Sequence, residues 1–203
     1  MGRSVLSDAR EAKSRGDADY LTAGLIDTNP LVRRYSARAL GDLRATSAVQ
    51  PLLRCATQSG DEVLQAIALR ALELIGDATV VPALYEFACE ERPFGVKTSA
   101  MRALCSLGDR RAIELLARLM VDPDLVDHFA SVPSSRPSIS AGSAKKWISD
   151  QLVVFRGIEA IPLLESSLSV VSFGDRRRIR GLLRRLKTIT SDNELCTGVE
   201  DSP

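Results

Sequence analysis

The quartets ARAL, LRAL and MRAL occupy residues 37–40, 69–72 and 101–104, each beginning 32 residues after the last. A fixed period in the range of roughly 20–50 residues marks a chain built from one supersecondary unit stacked on copies of itself. The match extends beyond the quartets. Leu40, Leu72 and Leu104 share a column, as do Leu43, Ile75 and Leu107, then Val49, Val81 and Ile113, then Leu52, Leu84 and Leu116.

Within a unit the apolar spacing is helical. Ala68, Ala71, Leu72 and Ile75 stand at i, i+3, i+4 and i+7, as do Ala100, Ala103, Leu104 and Leu107, so each set lines one helix face. No alternation with a period of two runs through the chain, so strands are not expected. Gly76-Asp77 and Gly108-Asp109 punctuate the hairpins: a glycine ends one helix in the left-handed region and an aspartate caps the next. Pro51, Pro82 and Pro162 each fall in the first turn of a second helix, where a missing N–H costs little. Shifting the third unit by 48 residues aligns Ile148, Gln151, Leu152 and Phe155, which implies an insertion of about 16 residues beyond the repeat. Ile179, Leu182, Leu183 and Leu186 then form a last helical face, and residues 5–15 and 17–26 a leading pair. The expected fold is an all-α solenoid of about five stacked antiparallel hairpins plus a terminal helix. It spans residues 1–188 as one array, with an inserted loop at 121–142 and a disordered acidic tail at 189–203.

The segments DTNPLVRRYSARALGDL with AVQPLL, and ALELIGDATVVPALYEFA, resemble HEAT repeats, in particular the short class of the phycobilisome-lyase proteins. The matching positions are Asp27, Pro30, Val32, Arg33, Ala37, Ala39, Leu40 and Gly41 in one unit; Gly76, Asp77, Val81, Pro82 and Leu84 in the next; then Gly108, Asp109, Ala112 and Ile113. The likeness is strong over residues 17–120. Arg44-Ala45 departs from it, standing where Gly-Asp is expected, and Lys97 replaces the basic residue of the Val-Arg pair. The resemblance implies an α-solenoid used for binding and, as a second implication, a bilin-lyase-like or lyase-chaperone activity.

Composition narrows the chemistry. With His128 as its one histidine, the chain cannot build paired-histidine zinc sites, and it holds no phosphate-binding glycine loop and no nucleophile elbow. Cys55, Cys89, Cys105 and Cys196 form no C-x-x-C pair, and the first three read as small apolar helix residues. No cofactor and no metal are expected, since Asp122, Asp124, Asp127 and His128 read as turn chemistry more readily than as a cation cage. No stretch of about 18 apolar residues exists, and the first residues lack an apolar signal core. A cytoplasmic location, in a bacterium, is therefore expected.

Three surfaces are candidates for partner binding. Stacked hairpins of this kind turn their second helices to the concave side, where Arg54, Glu86 and Arg118 form one outward column beside Glu114 and Tyr85. Mixed charge with an aromatic suits a protein or peptide. The insertion adds His128 and Phe129. The third is the basic helix 176–187, with seven cations and no acid against a whole-chain charge of +1. Its Arg176, Arg177, Arg180 and Arg184 serve either as the polar cap of a terminal repeat or as a patch for nucleic acid or another acidic partner. The leading expectation is a non-enzymatic scaffold that recognises another protein through the concave surface and the inserted loop.

Overall fold

A computed structural model describes residues 5–90, 92–131 and 140–197, and every described element is helical. The chain divides into two compact units that meet at Gly108–Asp109, inside the span that reads as one array in the sequence.

The N-terminal unit holds α1 (Val5–Arg15), α2 (Ala18–Gly24), α3 (Pro30–Asp42), α4 (Val49–Gln58), α5 (Glu62–Ile75), α6 (Val81–Cys89) and α7 (Phe94–Ser106). The first helices α1, α3, α5 and α7 pack in sequence as one layer, while α2, α4 and α6 rest on α3, α5 and α7. The repeat columns form this core: Leu40, Leu52, Leu72, Leu84 and Leu104 are each at most 1% exposed. Burying one such side chain contributes about 1.5–3 kcal/mol. Small residues set the spacing of α3 and α5, where a Cβ added at Gly41 would stand 2.7 Å from Ala71 Cα. One column shifts slightly: a short 3₁₀ turn precedes α6, so Val80 is buried at 1% and Val81 only half-buried.

The punctuation behaves as its chemistry requires. Gly76 ends α5 at φ +81° with its N–H on Leu72 O, and Asp77 accepts the Thr79 N–H at 2.8 Å. Where Arg44 replaces that glycine it still adopts φ +50°, as Arg156 does at +49° in the equivalent turn. An L residue with a bulky side chain costs about 1–2 kcal/mol there, and the surrounding packing must supply it.

The C-terminal unit holds α8 (Arg110–Val121), α9 (Pro123–Ser131), α10 (Ala141–Val154), α11 (Ile161–Ser167) and α12 (Phe173–Thr197). Helix α8 packs on α9, α10 and α11, and α12 lies against α10 and α11. Two sequence expectations change here. The start of the insertion is a helix rather than a loop: Pro123 is its first residue, where the absent N–H is harmless, and Asp122 accepts the Leu125 N–H at 3.0 Å. Its serine- and proline-rich remainder, 132–139, lies outside the described residues. The last helix also continues past 188 to Thr197, since no glycine or proline interrupts 182–197 and Ile189 and Thr190 stay half-buried. The final residues, 198–203, are outside the described part.

Among the described residues, each unit has an ion pair that ties a first helix to the start of the next helix in its layer. In the N-terminal unit Arg34 donates to both carboxylate oxygens of Asp61 at 3.0 Å, and Asp61 also accepts the N–H groups of Val63 and Leu64 at the start of α5. In the C-terminal unit Lys145 Nζ lies 2.9 Å from Asp175 in the first turn of α12, whose carboxylate also accepts the Ser172 hydroxyl, while Ser172 Oγ caps the helix by accepting the Asp175 N–H.

Candidate protein-binding groove

The repeat geometry of the N-terminal unit leaves a groove of ≈ 590 Å³ between the second helices α2 and α4. Residues Pro51, Arg54, Cys55 and Gln58 reach it from α4 at i, i+3, i+4 and i+7, so they occupy one face. Leu25 and Leu64, 3% and 2% exposed, make an apolar floor, while Ile26 stands on the rim at 86% exposure. Ile26 thus gives the groove an exposed aliphatic edge beside its buried apolar floor.

Two guanidiniums face this space, and among the described residues no carboxylate lines it. Arg33, from α3, is fixed by donating to the carbonyls of Asp27 at 2.8 Å and Thr28 at 3.1 Å. Asp27 in turn accepts the Asn29 N–H, and Asn29 caps α3 through the Leu31 N–H at 2.9 Å, so the loop that holds Arg33 is itself held. Arg54 is exposed at the edge. Burial pushes the Cys55 thiol above its ordinary pKa, against the opposing pull of Arg54 and Arg33. A neutral thiol is a poor nucleophile, so Cys55 contributes shape and apolar surface.

Among the candidate partner-binding residues, Arg54 is the one that lies in this groove. Tyr85 is half-buried and Glu86 exposed on α6 of the same unit. In the C-terminal unit Glu114 and Arg118 pair at 2.6 Å on the surface of α8, one turn apart. An exposed i,i+4 pair contributes about 0.3–0.5 kcal/mol. His128 is exposed on α9, whereas Phe129 is 6% exposed and packs inward, which makes it a core residue rather than a contact. Among the described residues no group of three or more His, Cys, Asp or Glu side chains could hold a metal ion, and Asp122 is engaged as the cap of α9. Also among the described residues, no helix is long and apolar enough to cross a membrane. Arg176 donates to the carbonyls of Val171 and Ser169, so it braces the turn before α12; Arg177, Arg180 and Arg184 are exposed.

Sequence reasoning missed Ile26 and Cys55. The signal was available on α4, where 51, 54, 55 and 58 trace one face, but a face needs its opposite wall before it reads as a groove. Cys89 also differs from expectation: it is exposed at the end of α6 instead of packing as an apolar residue.

A family model described as HEAT repeats matches residues 18–98 and again 56–130. No curated protein sequence matches the chain. Among solved structures, a chain from the complex of CpcE and CpcF of phycocyanin lyase from Nostoc sp. PCC7120 is similar, with 24% identity, coverage of 88% of this chain and 68% of that one, and a TM-score of 0.57. Identity at that level speaks for the fold alone. The two stretches matched by the family model cover more than half of the chain, and the helical hairpins of both units follow the same repeat; the protein belongs to the HEAT-repeat family.

Proposed function

We propose that the protein is a non-catalytic scaffold that holds a segment of another protein in the α2–α4 groove. The observation that carries this reading is the groove's chemistry: a leucine floor and an exposed isoleucine rim beside two guanidiniums, with no acid among the lining residues. That combination suits an extended or helical segment presenting an aliphatic or aromatic side chain next to a carboxylate. Tyr85 and Glu86 on α6 offer a further contact on the same unit, and His128 one on the insertion.

Peptide display against the immobilised full-length chain tests the proposal. Selected sequences are expected to pair an acidic residue with a neighbouring large apolar one. Arg54→Glu should weaken them about tenfold, the effect of roughly 1.4 kcal/mol, and Ile26→Asp should weaken them as well. Selection of unrelated sequences, or of the same sequences by the Ile26→Asp variant, removes the groove from consideration.

A second reading follows from the fold shared with the phycocyanin lyase complex, namely a lyase-type activity. Its test is direct: phycocyanin mixed with the chain is followed by visible absorbance. A scaffold leaves the spectrum unchanged, and a chain-dependent change decides for the lyase.

A further inference from the structure

Helix α12 carries seven cations between Arg176 and Lys187, and the structure sorts them into two sets. Four are engaged: Arg176 with the Val171 and Ser169 carbonyls, Arg178 with Asp175 at 3.0 Å, Arg185 with Asp150 at 3.5 Å, and Lys187 with Glu165 at 2.5 Å. Arg177, Arg180 and Arg184 have no carboxylate partner among the described residues, and all three are exposed. The sorting follows the helix. At about 100° per residue these three arginines fall on one stripe, turned away from the buried face of Ile179, Leu182, Leu183 and Leu186. One turn before Arg177 the same stripe begins with Phe173, 85% exposed, and Val170 just ahead of the helix is 81% exposed.

The stripe has edges. Arg185 and Lys187 leave α12 on opposite sides of it, one to Asp150 of α10 and the other to Glu165 of α11, so carboxylates flank the arginines on both sides. A flat anionic membrane or the broad polyanion of a nucleic-acid duplex would find unneutralised positive charge chiefly along the stripe, because Asp150 and Glu165 already pair with the cations beside it. A narrow anionic element uses that charge in full. From Arg177 to Arg184 the stripe covers about 10 Å of helix axis at 1.5 Å per residue, which matches acids spaced at i, i+3 or i+4, and i+7 on one face of another helix.

We propose that Phe173, Arg177, Arg180 and Arg184 form a docking stripe for an acidic amphipathic helix of a protein partner. The three carboxylates pair with the three unengaged guanidiniums, and an apolar residue one turn further along covers Phe173. This surface lies in the C-terminal unit and does not depend on the groove of the N-terminal unit.

The experiment uses the full chain and three probes: a helical peptide with glutamates at i, i+3 and i+7 and a leucine one turn beyond, phosphatidylserine-containing vesicles, and a short DNA duplex. The peptide is expected to bind saturably and more tightly than either other probe. Binding should weaken at least about tenfold in the Arg177→Glu, Arg180→Glu, Arg184→Glu triple variant and fall as salt rises, because exposed charges are screened over about 8–10 Å. A peptide with lysines in place of the glutamates should bind that variant and not the wild type. The corresponding triple Gln variant, followed by thermal melting, separates lost charge from lost fold and should also weaken binding. Ile26→Asp should leave the acidic peptide's affinity unchanged. Equal binding of the acidic peptide to wild type and folded triple variants overturns the proposal. So does tighter binding of the vesicles or the duplex, or loss of peptide binding in Ile26→Asp.

Discussion

The Arg34–Asp61 tie of the N-terminal unit and the Lys145–Asp175 tie of the C-terminal unit are the same device in two dielectric settings. In each, a cation on one helix reaches a carboxylate at the start of the next helix of its layer; Asp61 itself caps α5, whereas the Ser172 hydroxyl caps α12 beside Asp175. They differ in water. The Arg34 side chain is 34% exposed and Asp61 16%, whereas Lys145 is 7% exposed against 17% for Asp175. Arg34 can turn to solvent when its partner is removed. Lys145 cannot, and an ammonium left alone in the interior carries an uncompensated desolvation cost. The comparison teaches that the presence of an ion pair says little about its weight; the burial of the group left behind decides.

The largest effect should come from Asp175→Ala, which strands Lys145 and also removes the acceptor of the Ser172 hydroxyl and of Arg178. A loss of about 3–5 kcal/mol is expected from equilibrium denaturation, the range for breaking one side of a buried pair. Asp61→Ala removes an ion pair in the more exposed setting together with the cap of α5 and should cost about 1–2 kcal/mol, mainly the cap. If the two substitutions cost the same, burial is not what separates the ties. Both carboxyls also titrate below their ordinary value of 3.8. For Asp61 the leading cause is the hydrogen bond from Arg34; for Asp175 burial pulls upward but is outweighed by the Lys145 and Ser172 hydrogen bonds and the Lys145 and Arg178 charges. A depressed folded pKa stabilises the protein above the unfolded value and loses that contribution as pH falls through the folded one. Stability should therefore drop below about pH 3.8, and less steeply in Asp61→Asn, as melting temperatures at pH 6 and pH 3 will show. The smallest effect belongs to Lys145→Met, expected within about 1 kcal/mol of wild type because the buried charge leaves together with its cost. Asp175 keeps Ser172 and Arg178. A loss as large as that of Asp175→Ala would mean that the lysine itself, and not its abandonment, is what matters.

The repeat made the helices and their buried columns readable, because Leu40, Leu72 and Leu104 recur at one spacing and that spacing has one physical meaning. The same arithmetic holds a polar column that was harder to see. Arg33, Gln65, Lys97 and Lys145 stand at successive shifts of 32, 32 and 48 residues; the first is half-buried and the other three are 4%, 3% and 5% exposed. Lys97 reads in sequence as a departure from a Val-Arg pair, and nothing in a lysine's identity announces burial. Its position in the column does. The acids fared worse: Asp61 and Asp175 are separated from their cations by 27 and 30 residues, so a strict period does not connect them. Of the groove, only Arg54 was legible, since its floor and opposite wall come from α2 and α5, and one sequence face cannot name its neighbours. The basic helix was visible as charge, but the division into engaged and unengaged arginines depends on where Asp150 and Glu165 lie on other helices.

That a carboxylate at the start of one helix also holds the first helix of the preceding repeat has a kinetic meaning. Nucleating a helix is the costly step of forming it, and here a side chain from the preceding repeat holds in place a carboxylate at the first turn of α5 or α12. In an array whose members otherwise touch only their neighbours, such sharing raises the nearest-neighbour coupling and works against the fraying of one repeat alone. Amide exchange should then show the first turn of α5 opening together with α3, and the first turn of α12 with α10, as two cooperative units rather than four independent helices.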